Sequence, residues 1–234
     1  MKSSHGTTSY DRNEILRRAE RFRSRGRVRK AIREYERVLA VDPKDVEVHT
    51  KIAQLYIRRG RKEEAKASLK RVIDWYEEQG FSDKEIATLR VAQRLDRRDL
   101  AVYLRLADLY LAKGLRADAL RLLEGGRRAF RRKRFFREAI AVEQKILSFV
   151  PSAFRAQVSL VRLLWRAKRR HDAKELLWKM ESQWALLKDR KRWRKTRWLL
   201  FCHDPSLATC WGSFIAMFSS PASYRAKKRD RTAS

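Results

Sequence analysis

The sequence predicts an all-α fold, a right-handed α-solenoid of stacked helical hairpins with about eleven helices. Two observations carry this. Apolar residues recur at spacings of three and four along most of the chain, the period of a helix with one buried face. The chain also returns to phase with itself at a constant step, from position 52 to 106 to 160: Ile52-Ala53-Gln54-Leu55-Tyr56 is followed by Leu106-Ala107-Asp108-Leu109-Tyr110 and then by Leu160-Val161-Arg162-Leu163-Leu164. Repetition at a fixed period means nested units of equal length, a design that presents extended surfaces to other macromolecules.

Other columns keep the same register. Ala65, Ala119 and Ala173 fall together, as do Leu69, Leu123 and Leu177, and an aromatic column runs Phe22, Tyr76, Phe130, Trp184. Pro43, Arg97, Pro151 and Pro205 form a column of helix stops, since proline cannot continue a helix. Small residues mark close helix approach and large ones fill the space between. The units are 12–45, 46–99, 100–153 and 154–207, with a truncated 208–220. Residues 1–11 and 221–234, rich in Ser, Thr, Lys and Arg, are expected to be disordered tails.

Within one unit the elements follow in order. Residues 46–59 place Val48, Ile52, Leu55 and Tyr56 on a single face, and Gly60 ends the helix. Residues 62–79 form a longer amphipathic helix through Ala65, Leu69, Val72, Ile73 and Tyr76, closed by Gly80. Ser82 with Glu85 three residues later predicts a capping box opening the third helix, which runs through Ile86, Leu89, Ala92 and Leu95. Gly125-Gly126 reads as a helix break, lacking the lysine and preceding strand of a phosphate loop.

These residues resemble a known family. Ala31, Tyr35 and Asp42-Pro43, followed by His49, Ile52, Ala53, Tyr56, Gly60 and Ala65, are similar to the tetratricopeptide repeat (TPR), a helix-turn-helix unit of about 34 residues. Tyr103, Leu106, Ala107, Tyr110, Gly114 and Ala119, and then Leu160, Leu164, Ala173 and Leu177, repeat the likeness. The chain departs from the family in its longer, three-helix period, because helix 62–79 serves both as the second helix of one motif and as the first of the next. The resemblance implies TPR-like hairpins, a concave groove lined by the first helix of each unit, and a non-enzymatic scaffold for protein binding.

Charge adds a second signal. The 58 Lys and Arg against 28 Asp and Glu give a net +30 on 234 residues, a field that attracts anionic partners. Runs of charge on helices are commonly solvated surface, and that plain reading stands beside the functional one. Basic clusters lie at 17–37, 127–137, 166–170 and 188–197, while acids gather in the middle around 63–85. If the first helices line the groove, its exposed candidates are Lys51, Gln54, Arg58, Arg105, Asp108, Arg155, Arg162, Trp165 and Arg166. The family's clamp for a terminal carboxylate is only fragmentary here, with Thr50, Gln54 and Arg105 at its places.

The expected partner is therefore an acidic protein or peptide. The alternative is RNA or DNA, with bases stacking on Trp193 and Trp198 between Arg192, Arg194, Lys195 and Arg197. Near the C-terminus, residues 198–218 are strongly apolar but interrupted by His203, Asp204 and Pro205, which argues against a continuous span. Trp211, Phe214 and Phe218 form an apolar patch read as a capping helix, with a protein interface, self-association or peripheral membrane contact as the other readings. No cofactor or metal is expected: Cys202, His203 and Cys210 lack the paired spacing of a zinc site. Two cysteines and a polar N-terminus point to the cytoplasm.

Overall fold

The computed structural model describes residues 11–203, the side chain of Lys133 excepted. Among these residues there are eleven α-helices and no strand: α1 (Arg12–Ser24), α2 (Val28–Val41), α3 (Val46–Arg58), α4 (Lys62–Glu78), α5 (Ser82–Leu95), α6 (Leu100–Ala112), α7 (Arg116–Ala129), α8 (Phe136–Phe149), α9 (Phe154–Arg166), α10 (Arg170–Leu186) and α11 (Arg190–His203), with a 3-10 turn at Lys133–Phe135. The helix starts recur in register: 46, 100 and 154 for α3, α6 and α9; 62, 116 and 170 for α4, α7 and α10; 82, 136 and 190 for α5, α8 and α11. The truncated last unit and all but Asp11 of the expected tails lie outside the described residues.

Packing divides the described residues into two compact units, one up to Ala119 and one from Leu120, with the division falling inside α7. In the first, each helix from α1 to α6 packs on its chain neighbour, and α8 to α11 do the same in the second. This is the arrangement of an α-solenoid. The core of α1–α3 is Ile15, Leu16, Ala31, Tyr35, Val38, Ile52 and Leu55, with Ala65 of α4. In the second unit Val158, Val161, Leu177, Met180, Trp184, Trp193 and Leu200 fill the space between α9, α10 and α11. Ala65, Ala119 and Ala173 are all fully buried, so a larger side chain at this column has nowhere to go without forcing the helices apart.

Helix ends follow local chemistry. The chain leaves α2 and α5 in extended conformation at Asp42 and Asp96, and leaves α8 at Val150 with non-helical backbone, in each case just before the column of stops. At Asp42 and Val150 the following proline disfavours helical backbone. In the first unit α3 and α6 are N-capped by Asp45 and Asp99, whose side chains accept from Val48 N and Val102 N. The register-equivalent residue of α9 is Ala153, and no side chain caps that helix. Asp11, expected in the N-terminal tail, caps α1 by accepting from Asn13 N and Glu14 N.

Two local expectations are corrected. Gly125-Gly126 lies inside α7, not at a break; the helix ends further on, at Ala129, and a 3-10 turn takes up the slack. A Cβ at Gly125 would meet nothing within 4 Å, so glycine there costs propensity without interrupting the ladder. Ser82 and Glu85 form no capping box: the N-cap position of α5 is Phe81, without a side-chain cap, and Glu85 turns inward to Arg105.

Candidate functional site

Two of the candidate groove cations on α3 and α6, Lys51 and Arg105, are taken up by the chain's own carboxylates. Lys51 lies 2.8 Å from Glu47 and 3.3 Å from Glu20, and the hydrogen bond to Glu47, with help from Glu20, holds its ammonium above the usual lysine range. Arg105 donates to Glu85 at 2.5 Å and lies 3.2 Å from Glu77, and the bond to Glu85 reinforces its charge. Glu85 is 2% exposed, so removing Arg105 would strand a buried carboxylate. Gln54, Arg58 and Asp108 are exposed on their helices.

On α9 the situation reverses. Arg155, Arg162 and Arg166 are exposed, and among the described residues none of them has a carboxylate within 4 Å. They line a cleft of about 760 Å³ with Arg127 and Arg128 of α7, Arg131 just past its end and Lys195 of α11. Phe130, Ala139, Phe154, Val158 and Leu163 supply its apolar lining, and Glu124 and Glu143 are its two acids. Glu143 is 2% exposed on its side chain and engaged by Arg127. Seven cations therefore surround one cleft with a single acid, Glu124, not already bound by an arginine.

Trp165 does not join this lining. Its ring stacks on His203 at 4.4 Å, with the Arg170 guanidinium 5.5 Å above it, so it packs α9 against the end of α11. Burial, and then the nearby charge of Arg162, hold the His203 imidazole below the usual histidine range.

The register shows how the cleft differs from its counterparts. Two periods on from the first unit, Glu20 becomes Arg128, Glu47 becomes Arg155, Gln54 becomes Arg162 and Arg58 remains arginine as Arg166. The partners of Arg105 change likewise one period on, Glu77 to Arg131 and Glu85 to Ala139. Thus the acids that neutralise the first unit's surface are replaced by arginine or alanine, and the replacements line the cleft. Guanidinium groups gathered without counter-charge repel one another, and an incoming anion relieves that repulsion.

Sequence reasoning noted the basic run at 127–137 but did not place Arg127, Arg128 and Arg131 opposite α9, because no period relates the two helices' facing. Trp193, read as a stacking platform for nucleic acid, is instead fully buried, and its indole N–H donates to Glu181 at 3.0 Å. Ala31 and Ala139, which share its register column, are buried as well. Trp198 is 57% exposed. The patch Trp211, Phe214 and Phe218 lies outside the described residues, as does Cys210. No group of three or more His, Cys, Asp or Glu among the described residues is placed to hold a metal ion, and no helix among them is long and apolar enough to cross a membrane.

Residues 22–90 match the tetratricopeptide repeat family model. Over this stretch the chain carries tetratricopeptide repeats. The matched stretch runs from the end of α1 into α5, so the α7–α9 cleft lies outside it. Repeats of this family are protein-interaction scaffolds and generally non-enzymatic. Among solved structures the chain is similar to MamA, at 22% identity over 68% of this chain and 89% of that one with a TM-score of 0.24. It is also similar to a tetratricopeptide repeat protein from Parabacteroides merdae, at 11% identity over 88% and 98% with a TM-score of 0.27, and to YrrB, described as a TPR protein with an unusual peptide-binding site, at 14% over 72% and 84% with a TM-score of 0.27. Scores this low carry no weight beyond the likeness itself. No curated protein matches.

Proposed function

We propose that this TPR protein is a non-enzymatic scaffold that takes an acidic segment of a partner protein in the α7–α9 cleft of its second unit. The observation that carries it is the replacement of Glu20, Glu47, Glu77 and Glu85 by Arg128, Arg155, Arg131 and Ala139 at register-equivalent positions. Solvated helix surface accumulates charge without reference to register. Here the compensating acids are lost at the positions that line one cleft. Arginine forks suit carboxylates bidentately. The cysteine usage of the chain supports a reducing, cytoplasmic setting.

The test is binding of an Asp/Glu-rich peptide to the full chain, followed by fluorescence anisotropy at about 0.15 M salt. Changing Arg128, Arg162 and Arg166 together to Glu should lower affinity by more than about tenfold, whereas Arg58→Glu on α3 should leave it unchanged. Equal affinity for the triple variant and the parent would remove the assignment. A second reading, single-stranded nucleic acid, is favoured by exposed Trp198 one turn from Arg194 on α11. It requires binding to mixed-sequence RNA with a steep salt slope that Trp198→Ala weakens.

A further inference from the structure

The α7–α9 cleft is not built for charge alone. Its lining also includes Phe154 and Leu163, each only half-buried, with the buried Phe130, Ala139 and Val158. Phe154 is held edge-on against Trp184, with ring centroids 5.6 Å apart at 82°, and Trp184 is itself fixed by a hydrogen bond from its indole N–H to Gln157 at 3.2 Å. Phe154 is thus backed by a side chain that is itself hydrogen-bonded, so a group that covers it gains burial at little ordering cost. Lys195 reaches over the same ring at 5.9 Å from the side of α11.

The walls are spaced to flank such an anchor. Arg155, Arg162 and Arg166 follow one another at seven and four residues along α9, about 10 and 6 Å by helical rise. Arg128 lies on α7 and Arg131 just past its C-terminal end, so cations line the cleft from α9 and from the end of α7. A purely acidic chain would satisfy the walls and leave Phe154 and Leu163 facing water. A purely apolar one would leave the cations unmatched.

We infer that the cleft recognises an amphipathic acidic segment, in which a bulky apolar side chain seats on Phe154 and Leu163 while carboxylates on either side meet the α7 and α9 arginines. This rests on the acidic-partner reading above and narrows it to a class of sequence. The recognition is of an internal segment: the ligand's charges come from side chains, and no terminal carboxylate is required.

Two C-terminally amidated peptides of equal length and charge test it, one with Leu-Phe between acidic runs and one with Ser-Ser in that place. Each is titrated into the full chain at about 0.15 M salt. The apolar-centred peptide should bind about tenfold or more tightly than the serine version. Leu163→Ala should shrink that difference several-fold; Leu163→Ser, checked for retained helicity by circular dichroism, should shrink it further.

Equal affinities on the parent chain, both lost in the Arg128/Arg162/Arg166 charge reversal, would overturn this inference and leave the acidic-partner reading standing. A preference for the apolar centre that both Leu163 variants leave intact would also overturn it, since the anchor would then seat elsewhere. Failure of both peptides to bind would overturn the inference and the reading together.

Discussion

At the scale of single residues, the sharpest contrast between the two units is at the helix ends. Gly60 and Gly114 close α3 and α6 in left-handed backbone, at φ 72° and 74°, and the third position of that column is Lys168 at φ 61°. Gly26 and Gly80 belong to a second column that ends in Lys188 at φ 54°. A side chain with Cβ in this region costs roughly 1–2 kcal/mol, partly offset by the looser unfolded state that glycine would bring. Lys168→Gly is thus expected to raise stability by up to about 1 kcal/mol, seen as a higher urea midpoint at unchanged slope. An unchanged or lower midpoint would mean that the lysine side chain makes a contact worth as much as the strain.

Individual helices give two further expectations. Ala153 leaves α9 uncapped where Asp45 and Asp99 cap α3 and α6. Ala153→Asn should add about 1 kcal/mol without altering the charge of the cleft. Denaturation against urea measures it, and Asp99→Ala in the same series should lose a similar amount. Gly125→Ala in α7, where a Cβ meets open space, should stabilise by about 0.5–1 kcal/mol. If instead it destabilises, the backbone at Gly125 is doing something other than running through a helix.

These elements also show what the sequence made legible. The helices 46–58, 62–78 and 82–95 were readable because each places its apolar residues at three and four and is followed by glycine or an Asp-Arg/Asp-Pro stop, all local signals. Trp193 was readable as interior from its column. The pairing of Glu85 with Arg105 was not: the two sit on neighbouring helices, far apart in sequence, and a local capping pattern offered Glu85 a competing role. The cleft was half visible. Register gave the α9 arginines, but which face α7 turns toward them depends on packing angles that no spacing encodes.

For the whole molecule, charge is unevenly shared. Residues 11–119 carry 28 Lys and Arg against 19 Asp and Glu, a net +9, while residues 120–203 carry 24 against 7, a net +17. The first unit leans on its carboxylates. Hydrogen bonds from Lys51 and then Arg12 hold Glu47 below the usual range. The Arg98 N–H, then Lys66, does the same for Asp96. For Glu20 burial pushes upward, but Tyr35, Lys51 and Arg23 outweigh it. A carboxyl whose folded pKa is depressed gives stability that is fully present above its unfolded value, about 4, and lost as pH falls through the folded one. Acidification below about pH 4 should therefore weaken α1–α3 before α9 and α10. Peptide-resolved hydrogen exchange, followed from neutral pH downward, reads this directly, and equal loss in both units would contradict it.

One small contact shows how such an array changes sign without coming apart. The Tyr56 hydroxyl donates to Glu36 at 2.9 Å, and its counterpart one period on, Tyr110, accepts from Arg90 at 2.9 and 2.7 Å. A phenol can give or receive, so it stays satisfied whether its neighbour is an anion or a cation. Each tyrosine at this junction acts as a neutral adaptor. Polarity at the surface can thus be rewritten one residue at a time, while the scaffold beneath keeps the same joints.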